Sequence, residues 1–316
     1  MLKPTGGVAY RRERWDTPDG DFLDIDFAEV AGTALPNLGE DSPLVLLLHG
    51  LGGDARRGYA AGTYKALAAR GIRTVGMNYR GCSGEPNRKA RLFHAGATDD
   101  PRMVLERLAD RFPRAPLAAV GYSLGGHMLM RAATEADPLP ETLRGIVSVS
   151  SPLDLDRSAR RLEGGMGRLY SRWILRALRA FVRAKLDRGW TLTDSDRAEG
   201  RRDPDWSAVF AATTIRAFDE ALIAPLHGFR DAAHYYAEAS CGPRLQAVKV
   251  PLTILRADDD PFLDPREVEF VGANPAIRLV RTAHGGHVGF VDVHRGGPTF
   301  WAERAAADHL SDILQP

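Results

Sequence analysis

A serine hydroxyl is a weak nucleophile at neutral pH until an imidazole takes its proton and a carboxylate holds that imidazole in one orientation. Three stretches of this chain could supply those groups, in the order serine, aspartate, histidine. Gly121-Tyr122-Ser123-Leu124-Gly125-Gly126 sets Gly-x-Ser-x-Gly between a short apolar run and a helical pattern. A strand-to-helix turn of that kind forces its serine into an unfavourable backbone conformation, and glycine alone lets the neighbouring turns close on it. It would hold the Ser123 hydroxyl above a sheet edge and aim the first amides of the next helix at the same space. Ser123 is the expected nucleophile. Taken without its flanks, the motif also reads as a plain loop of small residues.

The acid and the base are sought further along. Ala257-Asp258-Asp259-Asp260-Pro261-Phe262 follows an apolar strand pattern, and Asp260 is the expected orienting acid with Asp259 as runner-up. A solvated turn or a metal site would also use three adjacent aspartates. Thr282-Ala283-His284-Gly285-Gly286-His287-Val288-Gly289-Phe290 offers two histidines. His287 is the better base, because the double glycine lets its loop bend back over the sheet edge; His284 could pack against it or be exposed. No third ligand set with regular spacing accompanies this pair, so neither a metal nor a cofactor is expected. The tetrahedral oxyanion needs two preorganised amides. That of Leu124 opens the helix after the nucleophile, and that of Leu51 lies in the loop His49-Gly50-Leu51-Gly52-Gly53.

These groups need a scaffold, and the chain supplies an alternating one. Residues 8–15 and 21–30 read as a hairpin joined by Thr17-Pro18-Asp19-Gly20. Leu44-Val45-Leu46-Leu47-Leu48 is apolar throughout, as a central parallel strand covered on both faces should be. A helix to about Arg70, a strand over 73–78, a helix over 101–112, a strand over 117–121, a helix over 124–135 and a strand over 145–150 follow. This order implies a mostly parallel α/β sheet with right-handed crossovers. Residues 154–240 break the pattern with helices and aromatics, and the sheet resumes at Val250–Arg256. A helix near 265–271, a strand near 277–281 and a final helix over 298–314 complete it. The expected organisation is a core over 1–153, a helical cap insertion over 154–240, and the rest of the core over 241–316.

The chain resembles the α/β-hydrolase fold, and within it the YheT-like family of bacterial hydrolases, relatives of the eukaryotic ABHD-type and yeast medium-chain ethyl ester synthase/esterase proteins. The matching motifs are His49 to Gly53, Asn78-Tyr79-Arg80-Gly81-Cys82-Ser83-Gly84-Glu85, His94-Ala95-Gly96 with Asp100, and Gly121 to Gly126. Ser151-Pro152-Leu153-Asp154-Leu155, Asp259-Asp260-Pro261-Phe262 and His284 to Phe290 continue the match. His127 departs from it, standing where asparagine is expected, and adds a titratable group near the nucleophile. Arg80 would line the pocket entrance or pair with Asp100 or Glu85.

Composition bounds the rest. The 316 residues are 44% hydrophobic and 26% charged with a net charge of +1, which describes a soluble protein with no global pull toward nucleic acid. No run is long enough to span a bilayer, and Met1 to Gly7 lacks the apolar core of a signal peptide, so a cytoplasmic location is expected. Cys82 and Cys241 read as free thiols. The oligomeric state is not readable. On the helix expected near 166–186, Arg168, Arg172, Arg176, Arg179 and Arg183 form one narrow stripe opposite a broad apolar face. That face would be covered by the protein's own core, by a ligand's acyl chain, or by a membrane surface; its breadth speaks against the last. The expected activity is hydrolysis of short- to medium-chain carboxylic esters through an acyl-serine. Acyl transfer to an alcohol and a non-catalytic binding protein are the alternatives.

Overall fold

The computed structural model describes residues 6–33, 39–294 and 297–315. Met1 to Thr5, on which most of the leader reading rests, lie outside them. Strands β1 (Val8–Asp16) and β2 (Phe22–Val30) form an antiparallel edge hairpin, and β1 alternates exposed and half-buried positions as an edge strand should. Strand β3 (Leu44–Leu48) is buried at every position, because Leu44, Leu46 and Leu48 enter the core on one face and Val45 and Leu47 that on the other.

After β3 come α1 (Gly58–Ala68), β4 (Arg73–Asn78), α2 (Asp99–Arg111), β5 (Leu117–Tyr122), α3 (Leu124–Ala132) and β6 (Leu143–Val149). Helices α4 (Leu155–Leu162), α5 (Gly165–Leu186), α6 (Asp194–Ala198), α7 (Trp206–Ala211), α8 (Ile215–Phe218), α9 (Ala224–Leu226) and α10 (Ala232–Ala239) then run without a strand. The sheet resumes with β7 (Leu252–Ala257) and β8 (Ile277–Thr282). A two-stranded hairpin, β9 (Val291–His294) with β10 (Gly297–Phe300), precedes α11 (Trp301–Leu314). This hairpin takes residues 298–300 from the helix expected to begin there. Residues 265–271 form a 3₁₀ rather than an α-helix, with Pro265 in its first turn.

The eight-stranded order is β1-β2-β4-β3-β5-β6-β7-β8, parallel from β4 to β8. Helices α1 and α11 cover one face, burying Tyr64, Leu67, Ala306 and Leu310. Helices α2 and α3 and parts of the helical segment cover the other. The chain reverses direction across the sheet at β3 and β5, and ligands of open α/β sheets bind at the carboxyl ends of such strands. Leu48 and Gly121 are paired there, which brings the loop after β3 beside the turn after β5. Among the described residues no helix is long and apolar enough to cross a membrane.

Arg80 does not line a pocket entrance. Its buried guanidinium donates two bonds of 2.7 Å to Asp100 and further bonds to Asp19 at 2.8 Å and Asp21 at 3.1 Å, tying the first hairpin to the start of α2. Burial opposes its charge, but the bonds to Asp100 and Asp19 outweigh that and hold its pKa above the ordinary value. The Asp100 pairing left open by the sequence is present, while Glu85 bonds Arg14 instead. Arg80→Met would leave Asp100 and Asp21 as buried, uncompensated carboxylates. It should cost about 3–5 kcal/mol in urea unfolding; a raised KM at wild-type stability would instead assign Arg80 to the pocket.

Candidate active site

Ser123 sits at φ 53° and ψ −116°, a conformation a non-glycine residue holds only when both flanks fix it. Those flanks explain the glycines. A Cβ on Gly121 would lie 2.3 Å from the Gly125 carbonyl carbon, and one on Gly125 would lie 2.4 Å from the Leu48 carbonyl oxygen. The Ser123 amide donates to Val149 at 2.8 Å, anchoring the turn to β6.

Ser123, His287 and Asp260 come together in one hydrogen-bonded chain. His287 Nδ1 lies 2.9 Å and 3.1 Å from the two Asp260 carboxylate oxygens, and Nε2 lies 2.9 Å from Ser123 Oγ. A carboxylate only accepts, so Nδ1 carries the proton and Nε2 is left to accept from the serine hydroxyl. The His287 ring stacks on Phe262 with centroids 4.0 Å apart, which fixes its plane. Asp260 is buried and also accepts from the Phe262 amide at 2.8 Å.

The neighbouring acid has a different task. Asp259 Oδ1 accepts from the amides of Gly285 and Gly286 at 2.9 Å and 2.8 Å, bracing the loop that carries His287. Gly286 has φ +62°, and a Cβ on Gly285 would meet the Phe290 ring at 2.5 Å, so both glycines are needed for the bend. His284 is exposed, with its Nδ1 3.4 Å from Asp259.

The amides of Leu51 and Leu124 donate to no protein group among the described residues, and both residues line the cavity that contains Ser123. Three aromatic residues brace the loop that presents Leu51. The Gly50 amide donates to Tyr59 Oη at 2.9 Å, Tyr79 Oη donates to the His49 carbonyl at 2.8 Å, and the His49 ring packs 4.2 Å from that of Tyr79. Burial lowers the His49 pKa to about 4, so the ring is neutral and its Nδ1–H donates to the Gly50 carbonyl at 2.9 Å. Tyr59 carried no signal in the sequence, and Tyr79 stood only within the segment that matches the family, since what each bonds is a backbone atom of another loop.

The cavity over Ser123 has a volume of about 1460 Å³. Its walls are mostly apolar and include Phe93, Ile174, Leu178, Phe181 and Phe218. Asp219 also faces it, from a single π-helical turn (Asp219–Ile223), with Tyr236 Oη donating to its carboxylate at 2.7 Å. Burial raises the Asp219 carboxyl to about 7. Its sequence context, Phe-Asp-Glu-Ala, looks like any solvated helix turn, so nothing there pointed to a cavity wall.

His127 follows Ser123 by one helical turn but does not line the cavity around it. Its buried ring spans two backbone carbonyls, with Nδ1 2.8 Å from Pro152 and Nε2 3.0 Å from Ala239, and burial lowers its pKa. It joins α3 to the two ends of the helical segment. Cys82 and Cys241 are free, and burial raises both thiols well above their usual range. Among the described residues, no group of three or more His, Cys, Asp or Glu side chains could hold a metal ion.

Residues 43–292 match the family model described as the alpha/beta hydrolase fold. The chain is 36% identical over 305 residues to YheT of Escherichia coli (strain K12), named as a candidate esterase, covering 96% of this chain and 85% of that one. It is 28% identical to the phospholipase ABHD3 of Mus musculus, covering 90% of this chain and 67% of that one. It is 30% identical to the monoacylglycerol lipase of Saccharomyces cerevisiae, covering 94% and 62%. The Pyrococcus furiosus esterase Pf2001 superposes with a TM-score of 0.58 at 15% identity, covering 97% of this chain and 92% of that structure. With its sheet order, its strained Ser123 turn and a family match across most of its length, the chain belongs to the alpha/beta hydrolase fold family.

Proposed function

We propose that this carboxylic ester hydrolase works through an acyl-serine intermediate, with Ser123 as nucleophile, His287 as base and then acid, and Asp260 as the orienting carboxylate. The observation that carries the reading is the unbroken hydrogen-bond chain from Asp260 through His287 to Ser123 Oγ. As Oγ attacks the ester carbonyl carbon, its proton passes to His287 Nε2 and the carbonyl oxygen becomes an oxyanion. The amides of Leu51 and Leu124 receive that charge. Collapse breaks the bond to the alcohol, which leaves with the proton from Nε2. Water then attacks the acyl-serine, returns a proton through His287, and releases the acid with Ser123 restored.

Residues 154–240 act in this reading as a cap whose α5 and α8 form the acyl pocket wall. Short- to medium-chain acyl groups are the proposed substrates, and the apolar lining supports them. The volume exceeds the roughly 300–1,000 Å³ of ordinary small-molecule sites. Acyl transfer to an alcohol is the second reading. It is favoured by 31% identity, over 86% of this chain and 62% of the relative, to the Saccharomyces cerevisiae medium-chain fatty acid ethyl ester synthase/esterase 2. Ethyl ester formed from an acyl donor in dilute ethanol would establish it.

Ser123→Ala should abolish both ester turnover and fluorophosphonate labelling while leaving thermal unfolding intact; near-normal turnover would remove the mechanism. Asp260→Asn should lower kcat by about 10⁴-fold, because an amide holds the imidazole in the wrong tautomer. Asp259→Asn, which only loosens the loop, should cost far less; the reverse order would give the acid role to Asp259.

Chain-length preference tests the pocket. Phe181 packs 6.1 Å from Phe93 within the cavity wall, and Trp173 stands at its rim. Phe181→Ala and Trp173→Ala should shift kcat/KM along a graded series of nitrophenyl esters more than they change acetyl-ester turnover. Equal losses for short and long esters, with a lowered melting temperature, would reduce α5 to core packing.

A further inference from the structure

The broad apolar face of α5 divides in two. Gly167, Ser171, Ile174, Leu175, Leu178 and Val182 are buried along one arc. Met166, Leu169, Tyr170 and Trp173 lie on a second arc and are 61%, 60%, 44% and 54% exposed. At roughly 100° per residue, the exposed stripe of Arg168, Arg172 and Arg176 falls directly beside this second arc. None of the three has an ion-pair or hydrogen-bond partner among the described residues, and α5 contains no acidic side chain.

The remaining exposed large hydrophobics among the described residues are Val291 and Val293, at 40% and 74%, on the β9–β10 hairpin. Val291 lines the cavity, as do Leu169, Tyr170 and Trp173, so both elements frame one opening. Tyr170 packs edge-on to Phe262 with centroids 5.0 Å apart, and Phe262 is the ring stacked on His287. The rim is thus one aromatic side chain away from the catalytic imidazole.

Exposed apolar residues scattered singly need no explanation, but four lining one cavity mouth, with Met166 and Val293 exposed on the same two elements, do. With one arc consumed by the core, what α5 offers solvent is a modest apolar strip of Trp, Tyr, Leu and Met flanked by unpaired arginines. That is the pattern of a helix lying in a lipid headgroup layer, where aromatics sit at the boundary and cations meet anionic headgroups. The breadth that argued against a membrane belongs to two surfaces, only one of them free.

We propose that the N-terminal half of α5 and the β9–β10 hairpin dock the protein on an anionic phospholipid surface, with the cavity mouth facing the lipid. The proposal rests on the ester-hydrolase reading only for what such docking would serve, and its test needs no turnover. Ser123→Ala protein should co-sediment with vesicles of phosphatidylglycerol and phosphatidylcholine, more weakly at high salt, and much less with phosphatidylcholine alone. The triple variant Arg168→Gln/Arg172→Gln/Arg176→Gln should bind the anionic vesicles about 100-fold more weakly. In an otherwise wild-type chain the same triple variant should keep turnover of a soluble acetyl ester. Met166→Ser with Val293→Ser should remove binding that survives high salt. Absence of sedimentation with anionic vesicles, or unchanged affinity in the triple variant, would overturn the proposal. So would a concentration-dependent dimer dissolved by Met166→Asp, which would give the patch to a second copy.

Discussion

The approach of the first turn of α3 to the ends of β3 and β5 is the contact on which the rest of the molecule depends. It leaves no room for a Cβ at Gly121 or Gly125, and at Gly126 one would lie 2.1 Å from Ser151 Oγ. Backbone strain of the kind seen at Ser123 costs on the order of 1–3 kcal/mol and persists only where its surroundings over-determine it. The surroundings here are the interior of the sheet, where β5 is bonded to β3 on one side and to β6 on the other. The serine is therefore positioned by the centre of the core, and a loop with its own freedom could not hold it.

Asp260 and His287 follow two neighbouring parallel strands, β7 and β8, whose register fixes the separation of the loops that carry them. Within the acid loop, adjacent aspartates divide the work. Asp260 is buried and reaches the imidazole, while Asp259, one residue earlier, turns outward and holds the loop amides. The two carboxylates thus fix both the ring and the backbone that carries it. Phe262 adds a flat apolar surface against the imidazole, leaving its two nitrogens as the groups free to bond.

The sheet and the Ser123, Asp260 and His287 constellation were legible because their signals are local. Apolar runs of strand length, glycines where a turn must close, and a fixed order of acid and base all sit within a few residues of the groups they position. What escaped depends on contacts between distant segments. Beyond the Asp100 pairing that the sequence left open, Arg80 finds Asp19 and Asp21 in the turn of the first hairpin, and His127 finds the carbonyls of Pro152 and Ala239. Strand β9 was not expected and most of β10 was absorbed into the helix that follows it, since four-residue strands give little periodicity. The helical wheel of α5 merged two apolar arcs into one face, because hydropathy records that a residue is apolar and not what covers it.

The two ends of the helical segment between β6 and β7 lie side by side. The Gly242 amide donates to the Leu153 carbonyl at 2.8 Å and the Leu155 amide to Ser240 Oγ at 3.0 Å, joining the two ends of the segment. His127 reaches both ends from α3, and the Leu153 amide donates to the buried Glu267 at 3.1 Å on the side of the acid loop. Away from these ends, buried Lys185 donates to Asn87 and to the Lys89 carbonyl, fixing the far end of α5 to the loop after β4. Between these anchors, Ile174, Leu178, Phe181 and Phe218 form one wall of the cavity. The opposite wall comes from the sheet side, through Leu51, Leu92, Phe93 and Leu124, so segment and sheet together shape the space over Ser123.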